Sequence, residues 1–466
     1  MLFNSFNFIV FFPFIFLFYW LLPARWRVTR KIFLILVSYG LYMCFDATYS
    51  AILLGVTLVT YGGGNILEKE IKYKKIIIWL TTILSLLPLL LFKYHNFVSD
   101  TLNDWLRSVG FSPQIPGLNW AIPVGISFYT FQAIGYVLDV YHGRYRAEKN
   151  FIDYVLFVSF FPQIVSGPIS KAEDLLPQIK KEHSFDYNKS IEGLKTILWG
   201  LFMKVVVADR AGIYADMIFS NYAVFSGLNC FLGSILYSIQ IYTDFCGYSL
   251  MAVGVGRLLG YELINNFNRP YFASTITSFW KRWHISLTKW LTQNIYIPLG
   301  GNRVGKLKTY WNILITFLVS GIWHGANWTY IIWGLIHGGI QIIEKSLGLN
   351  NVTNNHIKPL RIIITFLIVN FAWIIFRSPS IDSAGMYISQ IFSGGGFNSK
   401  GIETLAFLAI GVGALFIKEF MQEYFPKFYN RVFELRFFRW IVYMLILASI
   451  LLLGVFDGGQ FIYSNF

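Results

Sequence analysis

The residue best suited to acid–base chemistry is His324, which lies in SGIWHGANW between two strongly apolar stretches. An ionisable side chain is costly in such surroundings and calls for an explanation. A neutral imidazole can take a proton from a hydroxyl near neutral pH, as a general base does. The adjacent Gly325 and Ala326 would let a substrate approach closely. From residue chemistry alone, a histidine that only hydrogen-bonds a neighbouring helix is an equal alternative.

A second imidazole, His284, lies in SFWKRWHISL, where a structural role is the more common one. His337, in WGLIHGG, sits in a stretch rich in small residues, and we interpret it as a packing residue outside the active site. Cations near His284 could attract an anionic acyl donor, because guanidinium matches phosphate geometry. They could equally be ordinary charges of a cytoplasmic loop. These candidate donor-binding residues are Arg282, Lys281, Arg269 and Arg303.

Three further side chains are candidate supporting residues, namely Asp244, Asn327 and Trp323. Asp244 could orient an imidazole or cap a helix, and the second interpretation is favoured. The cysteines show no paired spacing, so neither a disulfide framework nor a metal site is expected. No bound cofactor is expected either.

The composition is that of a membrane protein. Hydrophobic residues make up 55% of the 466 and charged residues only 13%, and the mean hydropathy is +0.54. The net charge of +14 comes from lysines and arginines clustered between apolar runs, which is the pattern of cytoplasmic loops and argues against nucleic acid as a partner. The lipid bilayer is therefore the expected environment.

Apolar stretches of membrane-spanning character recur along the whole chain, and we predict about ten to thirteen transmembrane helices in one membrane domain, 1–466. Proline and glycine interrupt residues 151–169, which predicts a broken, re-entrant segment shielded from lipid. Residues 262–308 are too charged to span, and their apolar spacing predicts an amphipathic helix at the cytoplasmic interface. A helical hairpin, 309–348, carries His324, and a tail, 457–466, ends the chain.

Basic loops set the predicted orientation. One loop carries Arg25, Arg27, Arg30 and Lys31, and the next carries Lys69, Lys72, Lys74 and Lys75. Two predicted helices separate these loops, so both face one side, which the positive-inside bias makes the cytoplasm. The amino terminus then lies outside, and no cleavable signal peptide is evident.

Five motifs occur in order between residues 244 and 328: DFCGYS, NFNRPY, SFWKRWHISL, YIPLGGNR and SGIWHGANW. With them the chain resembles the bacterial polysaccharide branch of the membrane-bound O-acyltransferase family, over nearly its whole length. The resemblance implies an all-α polytopic fold around a central tunnel. It makes His324 the catalytic histidine and His284 the second active-site position. One departure is Leu250, where related sequences tend to carry an acidic residue.

The resemblance also implies a function. The enzyme would be an O-acyltransferase that moves acetyl from acetyl-CoA, or from an acyl-carrier thioester, across the bacterial inner membrane. The acceptor would be an extracytoplasmic polysaccharide such as alginate-like exopolysaccharide or peptidoglycan, modified with the help of a separate SGNH-type acetyltransferase. The ending FIYSNF resembles that of a small partner protein in teichoic acid D-alanylation, which makes Tyr463 a candidate acyl relay or, alternatively, an interfacial anchor.

Two other functions stay open from the sequence. D-alanyl transfer to teichoic acid is the alternative within the same enzyme class, and a basic cytoplasmic face would serve its carrier-protein donor equally well. A transporter or flippase is the alternative from another class, because it too would be polytopic with polar residues inside the membrane.

Overall fold

Helices account for the regular structure of the described residues, and their boundaries follow caps, prolines and glycines in the sequence. The computed structural model describes residues 3–69, 72–112, 114–165, 167–350, 357–397 and 405–456. These residues pack into two compact units, one containing the chain up to Leu194 and Ala252–Ile264, the other containing Lys195–Met251 and the chain from Asn265 on.

The first unit is built from helices whose apolar faces pack on one another. Its helices are α1 (Phe6–Leu21), α2 (Arg27–Met43), α3 (Ala47–Lys69), α4 (Lys74–Leu89), α5 (His95–Ser108), α6 (Ile126–Tyr141), α7 (Phe151–Ser159), α8 (Phe161–Ile164), α9 (Ala172–Lys180) and the start of α10 (Tyr187–Leu201). A π-helical turn, Leu90–Tyr94, joins α4 to α5 after Pro88. The predicted break in residues 151–169 is confirmed, because α7 ends at Ser159 and α8 begins after Phe160.

Basic residues of the first predicted cytoplasmic loop lie inside this unit. Lys31 on α2 forms a buried ion pair with Asp153 on α7, with 2.5 Å between Nζ and Oδ1. The Arg30 guanidinium donates to the His183 carbonyl oxygen at 2.7 Å. Lys31 therefore joins α2 to α7, and Arg30 joins α2 to the segment after α9, roles that the clustering of charges did not reveal.

The second unit holds both candidate histidines. Its helices are α11 (Asp209–Ser220), the larger part of α12 (Gly227–Leu258), α13 (Ile276–Arg282), α14 (Ile285–Leu291), α15 (Lys306–His324), α16 (Trp328–Ser346), α17 (Lys358–Arg377), α18 (Ile381–Ile391), α19 (Leu405–Tyr424), α20 (Pro426–Glu434) and α21 (Arg436–Leu453). π-Helical segments occur at Phe202–Ala208 and Thr292–Tyr296, and 3-10 turns at Tyr222–Val224 and Pro270–Phe272.

Several helices are suited to a bilayer. Within the described ranges, those long and apolar enough to cross a membrane are Ala47–Lys69, Lys74–Ser108, Lys358–Arg377, Leu405–Tyr424 and Arg436–Leu453. Many large apolar side chains on these helices are exposed, such as Trp79 and Leu452, as expected of surfaces that face lipid. The total of ten to thirteen crossings stays a prediction.

Residues 262–308 differ from the single amphipathic helix expected. Of the apolar residues at helical spacing in this segment, Phe279, Trp283, Leu287 and Leu291 are buried and Trp290 is half-buried. The helix is nevertheless interrupted, because α13 ends at Arg282 and α14 begins at Ile285. The interruption falls on His284.

Candidate active site

His324 is the last residue of α15, at the tight turn of the hairpin that α15 forms with α16. Glycines allow the close packing of this hairpin. A Cβ on Gly321 would lie 2.3 Å from the Tyr330 carbonyl oxygen, and one on Gly334 would lie 2.4 Å from the Phe317 carbonyl oxygen. A Cβ on Gly325 would lie 2.0 Å from the Tyr330 ring. The small residues around SGIWHGANW thus serve to place the His324 backbone against the next helix.

His284 occupies the break between α13 and α14 in the left-handed region, at φ 42° and ψ 55°. Residues other than glycine rarely adopt this conformation, which costs on the order of 1–3 kcal/mol and occurs preferentially at functional sites. Asn266 holds the break in place. Its carbonyl oxygen accepts from the Ile285 N–H at 2.9 Å, and its side-chain oxygen accepts from the Ser286 N–H at 3.1 Å.

The two imidazoles come together in the second unit, with 6.5 Å between ring centroids. Both are buried, His284 at 0% and His324 at 1% exposure. Trp323 contacts both rings, at 4.9 Å from His324 and 5.6 Å from His284. Burial lowers the pKa of His284 to about 3, so that this ring stays neutral at neutral pH.

Other aromatic rings complete the surroundings of each imidazole. Trp333 and Phe376 lie 5.0 and 5.4 Å from the His324 ring, and Phe245 lies 4.7 Å from the His284 ring. Such a wall excludes water and strengthens the electrostatic interactions inside it.

The second unit also contains a cavity of about 400 Å³, which neither histidine lines directly and whose size is within the usual range of small-molecule sites. Ser320, one turn before His324 on α15, and Thr288, one turn after His284, both line it. Side chains three or four residues apart on a helix are neighbours. One end of the cavity therefore lies about one helical turn from both histidines.

The cations predicted to bind a donor fall into two groups. The Glu423 carboxylate pairs with Arg269 at 2.8 Å and with Arg282 at 2.9 Å, which engages both guanidinium groups. Lys281 lines the cavity, and so does Lys345, which sequence reasoning did not select. Arg303 is exposed in the turn before α15.

The candidate supporting residues are placed as follows. Asp244 pairs with Lys204 at 2.7 Å, and its neighbour Phe245 is the ring that packs on His284. The Asn327 side chain caps α16, accepting from the Thr329 N–H at 3.0 Å and donating to the Pro379 carbonyl oxygen at 2.8 Å. Tyr463 lies outside the described residues. Over the ranges that are described, no cluster of three or more His, Cys, Asp or Glu could hold a metal ion.

Sequence reasoning missed two groups near the site. Lys204 lies in the apolar run LFMKVVVA, and a charge in such a run is itself a signal of a buried partner or function. Trp280 and Trp333 gave no such signal, because tryptophans are common in this chain. His337, interpreted as a packing residue, is fully buried and accepts a hydrogen bond from the Trp280 indole N–H at 3.3 Å.

Gly334→Ala is expected to lower activity and to destabilise the protein by about 1–3 kcal/mol, a usual cost of overpacking. The new methyl would meet backbone, which cannot rotate away, next to the Trp333 that packs on His324. The check is the thermal unfolding of purified protein together with an acyl-transfer rate. Gly339→Ala is the matched control, since a Cβ there meets nothing within 4 Å on the same helix, and equal behaviour of the two variants would contradict the prediction.

The chain is similar to several known proteins. The model of the membrane-bound O-acyltransferase family matches residues 145–388. A probable alginate O-acetylase, AlgI, of Pseudomonas aeruginosa is 37% identical over 408 residues, which cover 86% of this chain and 78% of that protein. A peptidoglycan O-acetyltransferase of Helicobacter pylori is 35% identical over 417 residues, covering 82% and 78%.

A teichoic acid D-alanyltransferase of Bacillus subtilis is also similar, at 28% identity over 315 residues that cover 63% of this chain and 76% of that protein. The two O-acetyl transferring relatives therefore match at higher identity and over more of the chain. The region matched by the family model includes both buried histidines and the cavity residues between them.

Proposed function

Since this chain belongs to the membrane-bound O-acyltransferase family and is an O-acyltransferase, we propose that it transfers acetyl from a cytoplasmic thioester for O-acetylation of an extracytoplasmic polysaccharide. Acetyl is favoured over D-alanyl by the higher identity to the relatives named for O-acetyl transfer. The same two relatives favour an alginate-like polymer or peptidoglycan as the acceptor. The chain would work as a multi-pass protein of the bacterial inner membrane.

The observation that carries this proposal is the buried histidine pair about one helical turn from a cavity. The rings lie 6.5 Å apart, and Ser320 and Thr288 bring the cavity to within a turn of each. A reacting carbonyl at this end of the cavity would have one imidazole available as base and another as hydrogen-bond donor, as acyl transfer requires.

The cavity lining suits a donor carried on a phosphopantetheine arm. Hydroxyl and amide side chains line it, including Thr277, Thr292, Thr316 and Gln341, which can bond the amides of such an arm. Lys281 is exposed and Lys345 half-exposed, so both lie at the open end, where an ammonium can bind phosphate. Neither forms an ion pair with any residue in the described part of the chain.

In the proposed reaction His324 accepts the proton of the acceptor hydroxyl. The hydroxyl oxygen attacks the thioester carbonyl carbon, forming the new C–O bond and a tetrahedral oxyanion. Collapse of this intermediate breaks the C–S bond, and the imidazolium of His324 returns its proton to the departing thiolate. The products are the acetyl ester and a free thiol, with no net proton change.

His284 would stabilise the oxyanion. Its ring is neutral at neutral pH, because burial lowers its pKa to about 3, and a neutral imidazole has one N–H to donate. Because the left-handed backbone holds His284 in one position, its N–H would already be in place to donate to the oxyanion. Removal of one oxyanion donor costs about 10²- to 10³-fold in rate.

The first acceptor in this scheme is Tyr463, a residue of a partner protein, or the sugar itself. A separate SGNH-type acetyltransferase outside the membrane would then complete modification of the polymer. The donor would be acetyl-CoA or an acyl-carrier thioester.

Lys281→Ala is expected to raise the KM for acetyl-CoA about tenfold with little change in kcat. One charge-assisted contact to phosphate contributes about 1.5–3 kcal/mol, and 1.4 kcal/mol corresponds to a factor of ten. The assay uses purified protein in vesicles with labelled acetyl-CoA on one side, and with acceptor saccharide and the separate acetyltransferase of the scheme on the other side. The label that reaches the saccharide is measured.

Lys289→Ala is the matched control, because Lys289 is exposed on α14 yet does not line the cavity. An equal rise of KM in both variants would mean that general surface charge, and not this cavity, attracts the donor. Absence of label on the far side with any acetyl donor and acceptor pair would overturn the proposed function itself.

A further inference from the structure

Trp280 forms a wall between the cavity and the aromatic rings around His324. Its side chain lines the cavity and is 6% exposed. Behind it, the ring lies 5.5 Å from Trp333, which itself lies 5.0 Å from His324. On this side Trp280 and Trp333 lie in series between the cavity and His324, whereas Ser320 brings another part of the cavity to within one helical turn of His324.

The Trp280 side chain is held in place by its neighbours. The Trp280 indole N–H donates to Nδ1 of His337 at 3.3 Å, and the Trp280 ring packs at 5.3 Å against Phe317. His337 is fully buried and is itself packed 5.0 Å from Trp333. A side chain bonded at its only polar atom and packed against the rings of Phe317, Trp333 and His337 cannot swing aside at little cost.

The deep part of the cavity is apolar. Leu287, Leu291 and Ile313 line it and are at most 6% exposed, like Trp280, whereas the lysines lie at the open end. A donor that places its phosphate near the lysines and its thioester near the histidines would direct its acyl group toward this apolar end. The Trp280 indole then limits how long that acyl group can be.

We propose that Trp280, held in place by its hydrogen bond to His337, is the residue that restricts the enzyme to short acyl groups. This inference rests on the proposed acyl transfer and adds the determinant of acyl size. Trp280 is a specificity-determining residue in this scheme, and His337 is a positioning residue that acts through Trp280.

The test compares acetyl-, propionyl- and butyryl-CoA as donors for wild type, Trp280→Ala and His337→Phe. The measured quantity is the ratio of kcat/KM for butyryl to that for acetyl. One methylene in a hydrophobic pocket changes kcat/KM by about 10- to 200-fold, so Trp280→Ala should raise this ratio at least tenfold. His337→Phe keeps the indole but removes its hydrogen-bond acceptor, so a smaller rise in the same direction is expected.

The ratio separates specificity from general damage, because loss of folded enzyme lowers both rates equally. Trp311→Ala is the matched control, since Trp311 is 58% exposed on α15 and outside the cavity, and its ratio should equal that of wild type. If Trp280→Ala does not fold, Trp280→Phe is tested in its place, and its ratio of kcat/KM for propionyl to that for acetyl should rise. An unchanged ratio with acetyl transfer retained would overturn this inference alone, whereas a wild type that transfers no acyl group would overturn the proposed function.

Discussion

Loss of the His324 imidazole is expected to lower acetyl transfer by about 10²- to 10⁴-fold, the usual contribution of a positioned general base. In His324→Ala the acceptor hydroxyl has no imidazole at this position to take its proton. The acetyl transfer rate in vesicles is the measurement, made at saturating donor so that kcat is compared. His324→Gln should be equally impaired, because an amide can hydrogen-bond but cannot act as a base near neutral pH.

His142→Ala is the control for this experiment, since His142 is exposed at the end of α6 and should retain the wild-type rate. The variant His284→Ala should lose about 10²- to 10³-fold, and the double variant should lose less than the product of the two single losses, because the pair acts on one transition state. A His324→Ala protein that folds and keeps its full rate would rule out the proposed mechanism.

The location of the hairpin could be predicted from the sequence, because the signal is local. Apolar runs on either side of SGIWHGANW predicted a helical hairpin over 309–348, and α15 and α16 together occupy nearly the same range, from Lys306 to Ser346. The break near Phe160 was likewise indicated by Pro162, Gly167 and Pro168, which follow it. Local composition determines such features, since helix formation depends on neighbouring residues.

Features that depend on distant residues could not be predicted. Helical spacing through Phe279, Trp283 and Leu287 suggested one continuous helix, but contacts from Asn266 hold His284 in a left-handed conformation that interrupts it. Arg282 likewise pairs with Glu423, which lies 141 residues along the chain. A periodicity argument contains no information on partners this far away.

Lys204 is the clearest case of a residue hidden by its surroundings. The run LFMKVVVA has the hydropathy of a span, so its one lysine was passed over. The structure places it in the π-helical segment Phe202–Ala208, where π-turns often mark functional sites. Its ammonium lies 2.6 Å from Asp209 and 2.7 Å from Asp244, and all three side chains are at most 6% exposed.

Lys204→Met is expected to destabilise the protein by about 3–5 kcal/mol, the cost of removing one partner from a buried ion pair. Methionine fills a similar volume but leaves two carboxylates buried close together without a cation. Because Asp244 precedes the Phe245 ring that packs on His284, the acetyl transfer rate should fall as well. The measurement is denaturant or thermal unfolding of the purified protein in detergent, followed by the transfer assay.

The same substitution at Lys189 is the matched control, because Lys189 lies earlier on the same helical run in an exposed pair with Glu262 at 3.8 Å. An exposed pair contributes at most about 1 kcal/mol, so Lys189→Met should unfold nearly as wild type does. Adding Asp209→Asn and Asp244→Asn to Lys204→Met removes every charge of the cluster and should recover much of the lost stability, since a buried ion pair replaced as a whole is often neutral. Two results would contradict this explanation: a single variant as stable as wild type, or a triple variant no more stable than the single one. Either result would mean that Lys204 does not stabilise the protein by neutralising buried carboxylates.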